Sequence, residues 1–178
     1  DVIANLLKFN GHQVTKEYYV NDYGNQIKNF VISVHFRILE LLKIKNFPND
    51  PNLYPGDYII KIAKNIINKK IINKYSNLDE IYEILSKESL LASMEIIKNN
   101  LNLLGVKHDT FVYESELVKN KLVSKTIDKL KKEKFVYTGK LDKPKGDTSS
   151  KWESRDQLLF KSTKFGDDVD RPLMKNDN

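Results

Sequence analysis

Two acids, Asp22 and Glu114, stand where this sequence could do chemistry. Each follows a short run of apolar or β-branched residues, Asp22 after Tyr18-Tyr19-Val20 and the amide Asn21, and Glu114 after Thr110-Phe111-Val112-Tyr113. In an open α/β sheet, small ligands bind in the crevice outside the carboxyl ends of the strands. Strands emptying into Asn21, Asp22, Gly24 and Gln26 on one side and Glu114 on the other would place an acid, amides and a glycine at such a rim. If the two strands lie parallel in one sheet, Asp22 and Glu114 emerge on the same edge. The same residue types also stop strands for purely local reasons, as turn formers.

Other reactive groups fall into less productive patterns. His12, His35 and His108 are far apart and match no zinc spacing or nucleophile arrangement, so they read as structural or exposed. Gly24 has no glycine partners for a Walker loop or dinucleotide fingerprint. Lys161-Ser162-Thr163-Lys164 alternates lysines with hydroxyls but lacks the glycines and following helix that aim backbone amides at a phosphate. Asp167, Asp168 and Asp170 do not follow the alternating calcium-loop pattern and read as a solvated loop paired with Arg171. Lys129 to Lys134 crowds the last turn of a helix, where cations meet the negative dipole end. No metal site is expected.

The elements that must carry Asp22 and Glu114 follow from periodicity. Residues 1 to about 10 read as the back half of a helix ending at Gly11, and Val14 to Val20 as the first strand. Ile27, Phe30, Val31, Val34, Ile38, Leu41 and Leu42 recur at three- and four-residue steps, giving a helix over 26–45. Three prolines make Asn46 to Asp57 a loop. Asp57 is placed to cap a helix that buries Ile59, Ile62, Ala63 and Ile66. The isoleucine, lysine and asparagine of Lys61 to Tyr75 read as a surface helix. A helix follows from Leu78 to Leu104, broken near Ser86 and stopped by Gly105. Then come the strand Thr110 to Tyr113 and a helix capped by Ser115 and running to about Lys134. From Phe135 the expected pieces are short and β-like: Phe135 to Tyr137, a Gly139 turn, a polar loop from Lys143 to Lys151, Gln157 to Phe160, and Lys164 to Gly166.

The 178 residues suffice for a domain with a proper core. The absence of cysteine excludes disulfides, thiolate metal sites and cysteine nucleophiles. The formal charge of +6 is nearly all lysine, Arg37, Arg155 and Arg171 being the only arginines. Codon bias in an AT-rich genome gives that profile without any RNA-reading surface, which would more often cluster arginine with aromatics. No apolar run is long enough to cross a membrane, and a soluble, cytoplasmic protein is expected.

Several blocks in order resemble bacterial arginyl-tRNA synthetases, class I aminoacyl-tRNA synthetases. They are Gly11-His12, the stretch Glu17 to Ile27, Leu53-Tyr54-Pro55-Gly56-Asp57-Tyr58, Leu103 to Asp109, and Ser162 to Leu173. The resemblance covers essentially the whole chain. It implies an α/β fold, part of a Rossmann-like nucleotide-binding domain with a helical and β connective insertion. Residues 1–133 would belong to the catalytic domain, with a helical insertion at about 46–88, and 134–178 to a β-rich connective segment leading back to the other catalytic half. It further implies L-arginine, ATP with Mg²⁺ and the arginine tRNA as substrates of a monomeric parent enzyme, with no tightly bound cofactor. Glu114 matches the acid that meets the substrate guanidinium. Asn21, Asp22, Gly24 and Gln26 match a site-proximal turn, Asn21 standing where many members have glycine. The ATP-binding signatures, and with them the catalytic residues, would lie outside these residues, just before Asp1 and beyond Lys175-Asn176-Asp177-Asn178. The chain then reads as a central, by itself inactive, piece of a ligase. The alternatives are a non-catalytic helical module binding RNA or protein, and the inactive product of a split gene.

Overall fold

The computed structural model describes residues 1–141 and 155–174. The chain divides into two compact units, Asp1–Glu116 and Leu117–Asn178.

In the first unit, helix α1 (Val2–Phe9) leads through Gly11, in the left-handed region at φ +82°, toward strand β1 (Glu17–Val20). Helices α2 (Asn25–Leu41), α3 (Asp57–Lys69) and α4 (Leu78–Leu103) follow, then strand β2 (Thr110–Tyr113). β1 and β2 form a two-stranded parallel sheet in the register Glu17↔Thr110 to Val20↔Tyr113, so the three helices are the crossover between them. The unit is mixed α/β with a small parallel sheet. β1 is shorter than the expected Val14 to Val20. At Lys16 the regular ladder gives way to irregular bonds, its amide donating to the Asp109 carboxylate at 2.7 Å and its carbonyl accepting the amides of Asp109 and Thr110, and β2 itself begins only at Thr110.

The core lies among the three helices. Val31, Val34 and Ile38 of α2, Ile59, Ile62, Ala63 and Ile66 of α3, and Leu85 of α4 are sealed from solvent. Each fully buried aliphatic side chain larger than alanine contributes about 1.5–3 kcal/mol. The buried face of α3 is the one its spacing predicts. Asp57, however, is the first helical residue, not a cap: Gly56 holds the N-cap position without a side-chain bond.

Polar residues on α2 pin the irregular segments around it. The Ser33 hydroxyl donates to the Asn29 carbonyl at 2.6 Å and accepts the Tyr54 amide at 2.9 Å. Arg37 donates to Glu40 and to the Pro55 carbonyl and stacks 3.9 Å from the Phe47 ring centroid. His35 donates to the Tyr75 carbonyl at 2.6 Å. That last contact accompanies a correction. Lys61 to Tyr75 is no surface helix, because α3 ends at Lys69 and Ile72 and Tyr75 turn into the core.

Helix α4 is one unbroken rod of 26 residues. The break expected near Ser86 does not occur, for neither glycine nor proline interrupts 78–103. Its start is capped by Asn77, whose side chain accepts the Asp79 amide and donates to Glu80.

Helix α5 (Glu114–Lys119) is separated from helix α6 (Leu122–Lys132) by Lys121 at φ +56°, where one helix from Ser115 to Lys134 is expected. Lysines also take the left-handed position after α2 (Lys43), α3 (Lys70) and α6 (Lys134). Glycine is the usual occupant there, so reading for glycine misses these ends.

In the second unit, strands β3 (Val136–Gly139), β4 (Gln157–Phe160) and β5 (Arg171–Pro172) form an antiparallel sheet in that order, with Leu159 buried. Gly139 ends β3 rather than making a turn, and the expected loop from Lys143 to Lys151 lies outside the described residues. Lys164 and Phe165, expected in a β piece, belong to a 3-10 turn, Ser162–Phe165. The Phe165 ring stacks on Phe160 and meets Phe135 edge-on, which folds that turn back over the sheet.

Candidate functional site

The carboxyl edge of the parallel sheet is built by register. Val20 and Tyr113 are paired, so the chain leaves both strands at one level, into Asn21-Asp22 and into Glu114-Ser115. Asp22 and Glu114 therefore share an edge.

Asp22 is half-buried, with both carboxylate oxygens engaged. Oδ1 accepts the Ser115 amide at 2.8 Å and Oδ2 accepts the Ser115 hydroxyl at 2.5 Å. The first amides of a helix lack partners within it, and here an acid two residues past the neighbouring strand satisfies the second amide of α5. Ser115 is not the N-cap its position suggests; it is the residue being capped. Glu114, half-buried, opens α5 one residue after the ladder ends.

Tyr19 completes this cluster. Its phenol is pushed above its ordinary value, first by desolvation, although half of the side chain remains exposed, then by the Glu114 carboxylate, and last by Asp22. Asn21 and Gln26 join through their amides at 3.2 Å. Gly24, at φ +87° and ψ −171°, turns the chain into α2 in a conformation open only to glycine.

Two grooves border the edge. The larger, about 460 Å³, lies between Val20, Asp22 and Tyr113 and the α4 residues Leu90, Met94, Glu95 and Lys98. The smaller, about 290 Å³, is lined by Tyr18, Tyr19, Asn21, Gln26, Tyr54 and Tyr58, among others. Asp22 thus faces one groove and the Asn21–Gln26 pair the other. Neither Glu114 nor Gly24 lines either of them. The sequence reading did not single out Tyr19, Glu95 or Lys98. The only signal for the last two was an acid and a base three apart on an amphipathic helix.

The remaining candidates are structural. The His108 ring packs on Tyr18 and Phe111, and His35 is buried against Tyr75. Arg171 forks onto Asp167 at 2.7 and 2.6 Å and reaches Asp168 at 3.0 Å, the expected ion pair. Asp170 accepts the amide and hydroxyl of Thr163 and the hydroxyl of Tyr137, and Lys161 donates to the Lys134 carbonyl. Among the described residues no three histidine or acidic side chains converge as a metal site. No helix among them is long and apolar enough to cross a membrane.

No protein-family model matches the chain. Individual proteins do. It is 53% identical over 178 residues to the arginine–tRNA ligase of Pelagibacter ubique, a match that takes in 99% of this chain and 31% of that protein. From end to end, this chain matches a segment of arginine–tRNA ligases.

The arginine–tRNA ligase of Orientia tsutsugamushi is 44% identical over 99% of the chain and 30% of its own length. A crystal structure from Campylobacter jejuni, described as that of an arginyl-tRNA synthetase, superimposes over 97% of the chain and 34% of its own, with a TM-score of 0.73 and 26% identity. The chain spans about three-tenths of the curated ligases it matches. The resemblance of its sequence blocks to this family is upheld, and a free-standing helical module is not favoured.

Proposed function

We propose that the edge carrying Asp22 and Glu114 forms one wall of the amino-acid site of an arginine–tRNA ligase. The observation that carries this reading is the end-to-end match to such ligases, at 53% identity in the first case. The whole enzyme would join the carboxylate of L-arginine to the α-phosphate of ATP, releasing pyrophosphate, and pass the arginyl group to the terminal ribose of its tRNA. Mg²⁺ would enter with ATP. The parallel pair β1 and β2 would be part of a Rossmann-like sheet, residues 1–133 belonging to that domain and 134–178 to a β-rich connective segment.

Glu114 would receive the substrate guanidinium. A carboxylate meets that planar fork through two parallel charge-assisted hydrogen bonds, a geometry that lysine cannot copy. Asn21, Asp22, Gly24 and Gln26 would shape the neighbouring wall. The 178 residues alone are expected not to activate arginine, because activation depends on groups that position ATP and stabilise charge on its α-phosphate. Steady-state arginine-dependent ATP–pyrophosphate exchange tests both statements. In the full-length ligase, Glu114→Gln should raise the KM for arginine strongly, and an unchanged KM removes Glu114 from the pocket. Exchange by the isolated chain would overturn its inactivity.

A further inference from the structure

We propose that Asp22 is a positioning residue, which sets Glu114 for arginine by clamping Ser115. This rests on the reading of Glu114 above and gives Asp22 a role of its own. Glu114 is flanked by two fixed residues. On one side Tyr113 is locked into the parallel ladder opposite Val20. On the other, Ser115 is held at both amide and hydroxyl by the two oxygens of Asp22, 93 residues away in sequence. With both neighbours held, the Glu114 backbone has little freedom, and its side chain starts from a defined point at the sheet edge. A bidentate carboxylate–guanidinium contact requires placement to within about 0.5 Å and 10–20°. Fixing the residues on both sides narrows the range over which Glu114 can wander from that placement.

Each Asp22 oxygen accepts one donor from Ser115, which fixes the carboxylate against the first turn of α5 while leaving each oxygen a further acceptor position. Its contribution to arginine binding is assigned to Glu114, and effects of Asp22 that are independent of Glu114 in the double variants would show a direct contact instead. Removing it would free the first turn of α5 and let Glu114 move with that turn. Ser115 can be varied more gently. Threonine keeps both donors, whereas alanine keeps only the amide.

The test is arginine-dependent ATP–pyrophosphate exchange in the full-length ligase, with Asp22→Ala, Ser115→Ala and Ser115→Thr, each alone and combined with Glu114→Gln. Asp22→Ala is expected to raise the KM for arginine by about tenfold, the scale of one charge-assisted hydrogen bond. Ser115→Ala should raise it less, Ser115→Thr should stay near the parental value, and the KM for ATP should not move in any of them. In the Glu114→Gln background the Asp22 and Ser115 changes should add nothing further. An unchanged KM for arginine, equal rises for arginine and ATP, or effects that multiply with Glu114→Gln would each overturn the proposal. If Asp22→Ala does not fold, the Ser115→Ala and Ser115→Thr pair decides by the same criteria. Glu114→Gln alone separates the two readings. If it leaves the KM for arginine unchanged, both fall; if it raises that KM while Asp22 and Ser115 are silent, only the clamp falls.

Discussion

His35 donates its Nε2 proton to the carbonyl of Tyr75 at 2.6 Å, tying the middle of α2 to a segment forty residues further along. Both residues are buried, so the carbonyl has no water to turn to if the donor is lost. His35→Phe, which keeps the ring volume, should destabilise the chain by about 1–3 kcal/mol, the range for a buried group left unsatisfied. Urea unfolding would show it as a lower midpoint at unchanged slope. An unchanged midpoint would mean that the Tyr75 segment is held by packing alone.

Left-handed backbone positions give a prediction with three signs. A Cβ on Gly24 would meet nothing within 4 Å, so any penalty there is purely conformational. Gly24→Ala and Gly24→Asn should both destabilise by about 1–3 kcal/mol, because φ +87° with ψ −171° suits neither residue. Gly166, at φ +94° and ψ 10°, lies near the region asparagine tolerates, and Gly166→Asn should be nearly neutral. Lys70→Gly should stabilise by up to about 1 kcal/mol, since lysine holds φ +53° there at a steric cost. Thermal melts of the four variants check the order.

The acid loop should titrate low. Asp167 is held far below the ordinary carboxylate range by the Arg171 guanidinium, with Asp168 contributing next. Asp170 is lowered by the Thr163 amide, then by the hydroxyls of Thr163 and Tyr137. A folded-state value below the unfolded one means these contacts stabilise the fold above about pH 4 and lose their effect as pH falls through the folded value. In carboxyl-carbon NMR titrations, Arg171→Gln should move Asp167 up and leave Asp170 low, whereas Tyr137→Phe should move Asp170 up. An ordinary midpoint for Asp167 in the parental chain would contradict the fork.

Tyr19 reports on Glu114 without any substrate. Because the neighbouring carboxylate adds to desolvation in raising the phenol, Glu114→Gln should bring Tyr19 back toward its ordinary value without reaching it. NMR of the Tyr19 ring carbons across the alkaline range measures this. A shift of zero would separate the two side chains.

The sequence by itself determined the elements whose signals are local. Three- and four-residue spacing fixed the buried face of α3, Ile59, Ile62, Ala63 and Ile66, and the α2 stripe from Ile27 to Ile38. Leu41 and Leu42, expected in that stripe on a helix running to 45, are exposed because α2 ends at Leu41. Glycine marked the ends of α1 and α4, at Gly11 and Gly105. Two apolar runs, each emptying into an acid, announced β1 and β2, and the sequence blocks pointed to the arginine–tRNA ligases that the chain matches over 99% of its length. Helix ends closed by Lys43, Lys70 and Lys121 were illegible, because lysine in the left-handed region has no signature distinguishing it from lysine in a helix. The tertiary structure alone decided where unpaired polar groups go. The amide of Ser115 reaches Asp22, that of Tyr54 reaches Ser33, and the carbonyl of Tyr75 accepts from His35. Hydrogen bonding must be satisfied wherever backbone is buried, but which distant partner satisfies it depends on packing that brings residues 21 to 93 positions apart into contact, and spacing along the chain does not encode that.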